Sequence, residues 1–399
     1  MLRPSPMSQK RDMGHPNSWI DEKNKVVWDG MEFLPTTLGT RPRLAVEIRA
    51  EGVVAARAED AAALLTAMAK VSLAEGAVMP GLKAGNIVDK TAVAAAVRKA
   101  LEGIAGTGRE RLRDVTVIVP DSAVRVLFLD FDQLPSKAAE ALPVVRFRLK
   151  KLLPFDADEA MVSYQVMSNV KGLIKMVAVA MPKDVLAEYE GVVMAAGFVP
   201  GAVLPSTLAA LAGLDESEIP ALLVNAGQTS VTTAIVQAGV LLLHRSVDMG
   251  ADRAVSVMDA VPEAAMALVD RENSAQEWAQ QEALGPGGWD RFDAEAAMQS
   301  SVVAMAELKE QALAGVAREV TQAVSVAAAY FEDTLQVAPQ VVRTAGTLGG
   351  ETLAAMLDES GMQGLRVQEM VDAGMMQAGA VTASVGRGWL AGVRGALRN

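Results

Sequence analysis

The side chains best suited to chemistry fall in a few short stretches. Glu47-Ile48-Arg49 sets a carboxylate and a guanidinium two residues apart at the end of one apolar run. Asn225-Ala226-Gly227 with Thr229 and Thr232 sets an amide, a glycine and hydroxyls at the end of another. Gly346-Thr347-Leu348-Gly349-Gly350 is a glycine-rich turn after a third. Arginine is a good phosphate donor, yet Arg49 also has Glu47 and Glu51 for neighbours and reads first as a surface or paired residue. The glycine run fits either a strand-to-helix turn or close approach by a flat ligand. His244 near Asp248 invites a proton relay, but no serine nucleophile with an oxyanion turn accompanies them, so His244 reads as a partly buried strand residue. Arg146, Arg148, Lys150 and Lys151, with Phe147 interleaved, form the dense basic run, suited to an acidic tail, to lipid headgroups or to a solvated helix face. Met356, Met362, Met370, Met375 and Met376 fit core filling or an adaptable binding surface.

Composition narrows the classes. A chain of 399 residues, half of them apolar, exceeds what one core usually holds, so two domains are expected. The net charge of −11 argues against nucleic acid or an anionic membrane as the main partner. With no cysteine there is no disulfide, thiolate catalysis or cysteine-bound metal, and the two histidines, His15 and His244, exclude a multi-histidine site. Met1 to Glu22 is polar and lacks a signal-peptide core. The uncharged stretch between Glu218 and Arg245 has membrane-span length, but Asn225, Gln228, Thr229, Thr232, Thr233 and Gln237 make it too polar, and two buried strands fit better.

These candidates need elements to hold them. Residues 1–40 read as a poorly ordered leader. Leu44 to Ile48 and Gly52 to Ala56 read as a hairpin-like strand pair. Asp89 caps a helix with Val93, Val97, Leu101 and Ile104 on one stripe. Strands follow at Val115–Val119 and Val124–Leu129. A helix from Ser136 is interrupted by Pro143, which predicts a kink or two short helices. Val162–Met167 and Leu173–Val179 read as strands, and Asp184 starts a helix closed by Gly197. Ala221–Val224 and Val231–His244 form the uncharged strand pair. Residues 271–295 read as an exposed excursion. A helix carries Val320, Val324, Ala327, Phe331 and Leu335 inward, Pro339 stops it, and Val341–Thr344 is a strand. A small-residue helix from Ala378 to Leu397 closes the chain.

One internal echo organises the rest. Leu44-Ala45-Val46-Glu47-Ile48-Arg49 is matched by Leu222-Leu223-Val224-Asn225-Ala226-Gly227, each an apolar strand, a polar turn and a second strand opening one half of the chain. This resembles the way actin-like and sugar-kinase-like ATPases begin their two lobes, with nucleotide in the cleft between them. Leu153-Pro154-Phe155-Asp156 through Val162-Ser163-Tyr164-Gln165-Val166, Gly197-Phe198, Leu204-Pro205-Ser206, Asp248-Met249-Gly250 and Val385-Gly386-Arg387-Gly388-Trp389 are similar in their order to the PilM family, actin-like components of the type IV pilus inner-membrane platform. The resemblance covers about residues 44–399. It implies an α/β, actin-like (ribonuclease H-like, duplicated) two-lobed fold with an FtsA-like inserted subdomain. The lobes are expected at 41–215, with the insert at 113–181, and at 216–380, and the segment 381–399 is expected to return to the first lobe.

The family resemblance also sets expectations for the site. Nucleotide-binding relatives read Asp-x-Gly at both phosphate loops. Glu47 and Arg49 replace the first pair, and the extra methylene of Glu47 moves its charge by roughly an ångström, which octahedral magnesium tolerates poorly. Asn225 replaces the second aspartate and carries no charge for a metal. The cofactor is therefore either none or weakly held ATP, with Asn225, Gly227, Thr229, Gly346, Gly349 and Gly350 as its contacts, and no catalytic or metal-binding residue is assigned. The resemblance implies a cytoplasmic scaffold, peripheral to the inner membrane and reaching it only through a partner. That partner is the cytosolic tail of a PilN-like protein, with the pilus motor ATPase or a platform protein as further contacts and no nucleic acid. The tail is expected on Val124, Val126, Phe128, Arg146, Arg148, Val162 and Tyr164. The competing reading is an active actin-like or sugar-kinase-like ATPase whose lobes close over Mg-ATP.

Overall fold

The computed structural model describes residues 42–106, 112–170, 172–215, 217–249, 314–377 and 385–398. The leader 1–40, the excursion 271–295, His15 and the expected helix start at 378–384 lie outside them.

Two five-stranded sheets with the same strand pattern carry the fold. In the first the order is β3 (Leu65–Ser72), β2 (Gly52–Ala58), β1 (Leu44–Arg49), β4 (Asp114–Val119), β8 (Val199–Pro205). In the second it is β11 (Val240–Asp248), β10 (Ser230–Gln237), β9 (Ala221–Ala226), β12 (Val341–Gly346), β13 (Arg366–Glu369). In each, the opening strand pairs antiparallel with the next and parallel with a later one: β1 with β2 and β4, β9 with β10 and β12. The echo between Leu44–Arg49 and Leu222–Gly227 is thus a repeat of topology. All six residues of β1 are buried because a central strand is covered on both faces; Leu44, Ala45, Val46 and Ile48 are apolar accordingly, and Glu47 and Arg49 are the exceptions.

Helices cover these faces. In the first lobe α1 (Lys90–Glu102) packs on β2, β3 and α3 (Lys183–Ala195), its stripe of Val93, Val97 and Leu101 fully buried and Asp89 accepting from the Ala92 N–H as the cap. α4 (Ser206–Ala212) and α7 (Leu390–Leu397) lie together, α7 also touching β1, β2 and β4. In the second lobe the helix through 314–335 (α5) buries Val320, Val324, Ala327 and Phe331, and α6 (Gly350–Glu359) buries Leu353 and Leu357. Between β4 and α3 a separate three-stranded sheet is inserted, in the order β5 (Arg125–Phe131), β7 (Leu173–Pro182), β6 (Ala160–Val170), with α2 (Ala138–Leu149) over one face. Leu129, Val145, Leu149, Val162, Met176 and Ala178 form its own small core. Because β4 pairs with β1, residues 114–119 belong to the first lobe's sheet, although the expected insert began at 113.

Local chemistry overrides several expectations. The strand expected over 231–244 is two strands, broken where Ala238 and Gly239 adopt φ of 49° and 74°. Two consecutive left-handed residues suit a tight hairpin turn. α2 runs through Pro143 as one helix and not as two short ones, and Lys137, not Ser136, precedes it. The last helix begins only at Leu390, after a short turn of 3-10 helix at Arg387–Trp389. Among the described residues no helix is long and apolar enough to cross a membrane.

The α4–α7 contact depends on having no side chain at one point. A Cβ at Gly395 would stand 1.8 Å from the Ala209 carbonyl oxygen. Gly395→Ala is expected to cost about 1–3 kcal/mol or more by overpacking. Gly191→Ala in α3, where a Cβ meets nothing within 4 Å, is expected to raise stability by about 0.5–1 kcal/mol. Urea unfolding of the two variants checks the contrast, and equal effects would contradict the packing.

Candidate functional site

The ends of β1 and β9 meet where the two lobes face each other, and both supply polar side chains that cannot reach water. Glu47 is fully buried and Arg49 7% exposed. A buried carboxylate and guanidinium are tolerable only when paired and hydrogen-bonded. Arg49 Nη2 lies 2.6 Å from Glu47 Oε1 and donates to Ser206 Oγ at 2.7 Å and to Asn225 Oδ1 at 3.2 Å. The Ser206 hydroxyl in turn donates to Glu47 Oε1 at 2.6 Å. Asn225, from the second lobe, donates through Nδ2 to Ser206 Oγ (2.8 Å), Thr207 Oγ1 (3.0 Å) and Asp121 Oδ2 (3.3 Å). Asp121 also receives the Thr207 N–H at 3.1 Å and its hydroxyl, so a carboxylate sits at the start of α4, where helix N–H groups favour negative charge.

Burial pushes the Glu47 carboxyl above the usual carboxylate range, and the Arg49 charge and the Ser206 hydroxyl pull against that shift. Its Oε2 has no hydrogen-bond partner among the described residues and is sealed by α7, where a Cβ at Gly392 would stand 2.6 Å from it. His244 lies on β11 with its side chain 4% exposed and its Nε2 3.9 Å from Asp121 Oδ1. Burial holds the imidazole below its usual range and Asp121 opposes that. Asp121 is the carboxylate the structure places near His244, Nε2 makes no hydrogen bond among the described residues, and the reading of His244 as a partly buried strand residue stands.

The glycines expected to face a nucleotide mostly face protein. Gly346 has φ 95°, and a Cβ there would meet Ala226 O at 2.3 Å and Asn225 Oδ1 at 2.7 Å. Gly350 donates its N–H to Glu369 Oε1 at 2.7 Å, and a Cβ would come within 2.9 Å of that oxygen. Gly349 has φ 80° and open space around it. At Gly227 a Cβ would stand 2.8 Å from Glu51 Oε1, and Thr229 lends its carbonyl to the Met249 N–H. Between Arg49, Glu51, Asp121, Asn225, Gly227 and Thr229 the space left for water centres is about 20 Å³, enough for a water molecule.

Magnesium triphosphate needs a carboxylate free to hold the metal's waters and N–H groups free for phosphate. Here Arg49 takes Glu47, Asn225 is spent on four side chains, and the Gln228 N–H goes to Glu51. The residues do not fit that group in this arrangement. Sequence reasoning missed Glu51 in this role, and also Asp121, Thr207 and Gly392. Pro120-Asp121-Ser122 and Pro205-Ser206-Thr207, each a polar pair after a strand-ending proline, were the available signals.

The expected partner residues do not share one face. In register, Val126 lies beside Val179 and then Ser163, and Phe128 beside Val177 and then Gln165. Val162 and Tyr164 therefore stand on the opposite face, in the core under α2, while Val124 and Val126 pack against the first lobe's core. Phe128 remains 40% exposed. The basic run divides as well. Arg146 is half-buried and donates to the carbonyls of Ala157 and, at 2.9 Å, Ala160, so it ties α2 to β6 and is not an exposed charge. Lys150 pairs with Asp158 at 2.6 Å. Arg148 is exposed, as are Lys151, Leu152 and Phe147, the last by 68%.

No protein-family profile matches the sequence, and no curated protein matches it. Solved structures do. A chain of the PilM–PilN type IV pilus biogenesis complex superposes with a TM-score of 0.63 at 18% identity, covering 89% of this chain and 98% of that one. The ethanolamine utilization protein EutJ of Carboxydothermus hydrogenoformans gives 0.42 at 9% identity, over 92% of each chain. The cytoplasmic domain of EpsL, from the type II secretion system of Vibrio cholerae, gives 0.35 at 15% identity, over 55% of this chain and 75% of that one. The fold is the duplicated, two-lobed actin-like α/β fold with an inserted subdomain.

Arg49→Met tests the junction. It removes the charge and hydrogen bond that lower the Glu47 pKa, so the folded value rises further above the unfolded 4.5. A raised carboxyl pKa gives stability that is complete below the unfolded value and lost as pH climbs through the folded one. The variant is expected to lose about 3–5 kcal/mol at pH 8 and clearly less at pH 5.5, measured by urea denaturation against wild type. An equal loss at both pH values would contradict an ionised, Arg49-dependent Glu47.

Proposed function

We propose that this protein is a cytoplasmic scaffold of a type IV pilus assembly platform, peripheral to the inner membrane, which binds the cytosolic tail of a PilN-like membrane protein and links it to the pilus motor. The observation that carries the reading is the superposition over 89% of the chain on a component of the PilM–PilN complex, together with the order of matching motifs along the sequence. A scaffold needs a rigid frame and a docking surface, and no turnover. The buried junction at Arg49 and Asn225 suits a frame whose lobes are held by their own side chains. β5 suits docking. It pairs with β7 on one side only among the described residues, and an edge strand can receive an extended peptide through its backbone groups. Phe128 offers apolar contact there, and Arg148 on α2 and Lys151 in the turn after it offer attraction to an acidic tail that salt screens.

Three measurements bear on this. Calorimetric titration of the PilN-like tail is expected to show at least tenfold weaker binding to Phe128→Asp, and stopped-flow mixing is expected to show an association with Arg148→Glu/Lys151→Glu that is slower at low salt and no longer falls as salt rises, circular dichroism confirming both folds. Normal binding by a folded Phe128→Asp would remove β5 from the docking surface. Purified protein is expected to hydrolyse ATP with magnesium no faster than a matched blank. Turnover abolished by Asn225→Ala would instead favour an active two-lobed ATPase.

A further inference from the structure

Glu51 belongs to the two-residue turn, Ala50-Glu51, that joins β1 to β2 in the first lobe, where Lys70 lies within reach of its charge, yet its carboxylate takes its hydrogen bonds from the second lobe. Its Oε1 receives the backbone N–H of Gln228 and, at 3.0 Å, the hydroxyl of Thr347. These donors come from two different turns, one between β9 and β10 and one between β12 and α6. The same oxygen stands 2.8 Å from where a Cβ of Gly227 would be, closer than a side chain there would allow, so the glycine makes room for it. A backbone N–H, a hydroxyl and a glycine converging on one negatively charged oxygen make an anion-binding turn. The same cavity is lined by Arg49, whose charge is paired with Glu47, and by the Asp121 carboxylate.

We propose that Glu51 is a resident anion: its carboxylate fills an anion-binding turn of the second lobe, latches the two lobes together, and keeps phosphate-class anions out of that turn. The latch is autoinhibitory towards such anions and needs no ligand to close. It stands apart from the pilus reading, because it concerns only whether the junction is filled from within.

The full-length protein with inorganic pyrophosphate as probe tests it, by thermal unfolding against an ionic-strength-matched chloride control. Wild type is expected to show no saturable change. Glu51→Ala is expected to unfold at a lower temperature and to regain about 3 °C or more, saturably, as pyrophosphate fills the vacated turn. Glu51→Gln keeps the side-chain shape and loses the charge. It is the fallback should the alanine variant not fold, and is expected to show a smaller, still saturable gain. Pyrophosphate stabilising wild type as much as the variants, or stabilising neither variant beyond chloride, overturns the proposal.

Discussion

A guanidinium and a carboxylate removed from water set the terms for the centre of this molecule. Once Glu47 and Arg49 sit at the end of a fully buried strand, each must be neutralised and hydrogen-bonded wherever a partner can reach. Of this pair's buried atoms only Glu47 Oε2 and Arg49 Nε stay without one among the described residues. Ser206 answers by donating to Glu47 while accepting from Arg49 and Asn225, and Asn225 answers by accepting from Arg49. Because Asn225 belongs to the other lobe, satisfying a local charge problem also fixes how the lobes meet. Polar networks of this kind specify one arrangement strongly, since a partial rearrangement leaves buried groups unpaired.

The duplicated sheets make the junction symmetrical in backbone but not in chemistry. β1 and β9 occupy matching positions, and the residue pairs that follow the same geometry, Glu47 with Arg49 and Asn225 with Gly227, differ in charge. The first lobe exports an ion pair and a carboxylate, and the second supplies an amide, N–H groups and a hydroxyl to receive them. Close backbone approach makes this reach possible. Gly346, Gly388 and Gly392 each stand where a methyl group would meet an oxygen at 2.3, 2.5 and 2.6 Å.

Much of the architecture could be read from residues. The echo at Leu44 and Leu222 located both central strands, because strands covered on both faces are apolar without interruption. The stripes of α1 and α5 were visible because each helix has one wet face. β3, β8 and β13 were not visible. They are edge strands: β8 is interrupted by proline in Val199-Pro200-Gly201, β13 has one apolar residue, and β3 is broken by Thr66 and Lys70 and rich in alanine. At the junction, the pairing of Arg49 with Glu47 was among the readings of three adjacent residues. The roles of Glu51, Asp121 and Thr207 were hidden because their partners lie 177, 104 and 86 residues away, and no local pattern encodes such contacts.

The small helix α7 carries a consequence for how the chain folds. Its Arg394 donates to the carbonyl of Ala62, 332 residues earlier, and its Gly392 closes over Glu47. On a ribosome that emits the chain from its N-terminus, β1 and β2 emerge long before the segment that covers them, and a contact of such sequence separation forms slowly. The insert has one face on the first lobe, but its own core, from Leu129 to Ala180, is built from residues close in sequence and can assemble first. The first lobe therefore spends synthesis with an apolar face open and its buried glutamate still wet, and dries only when residues 388–397 arrive.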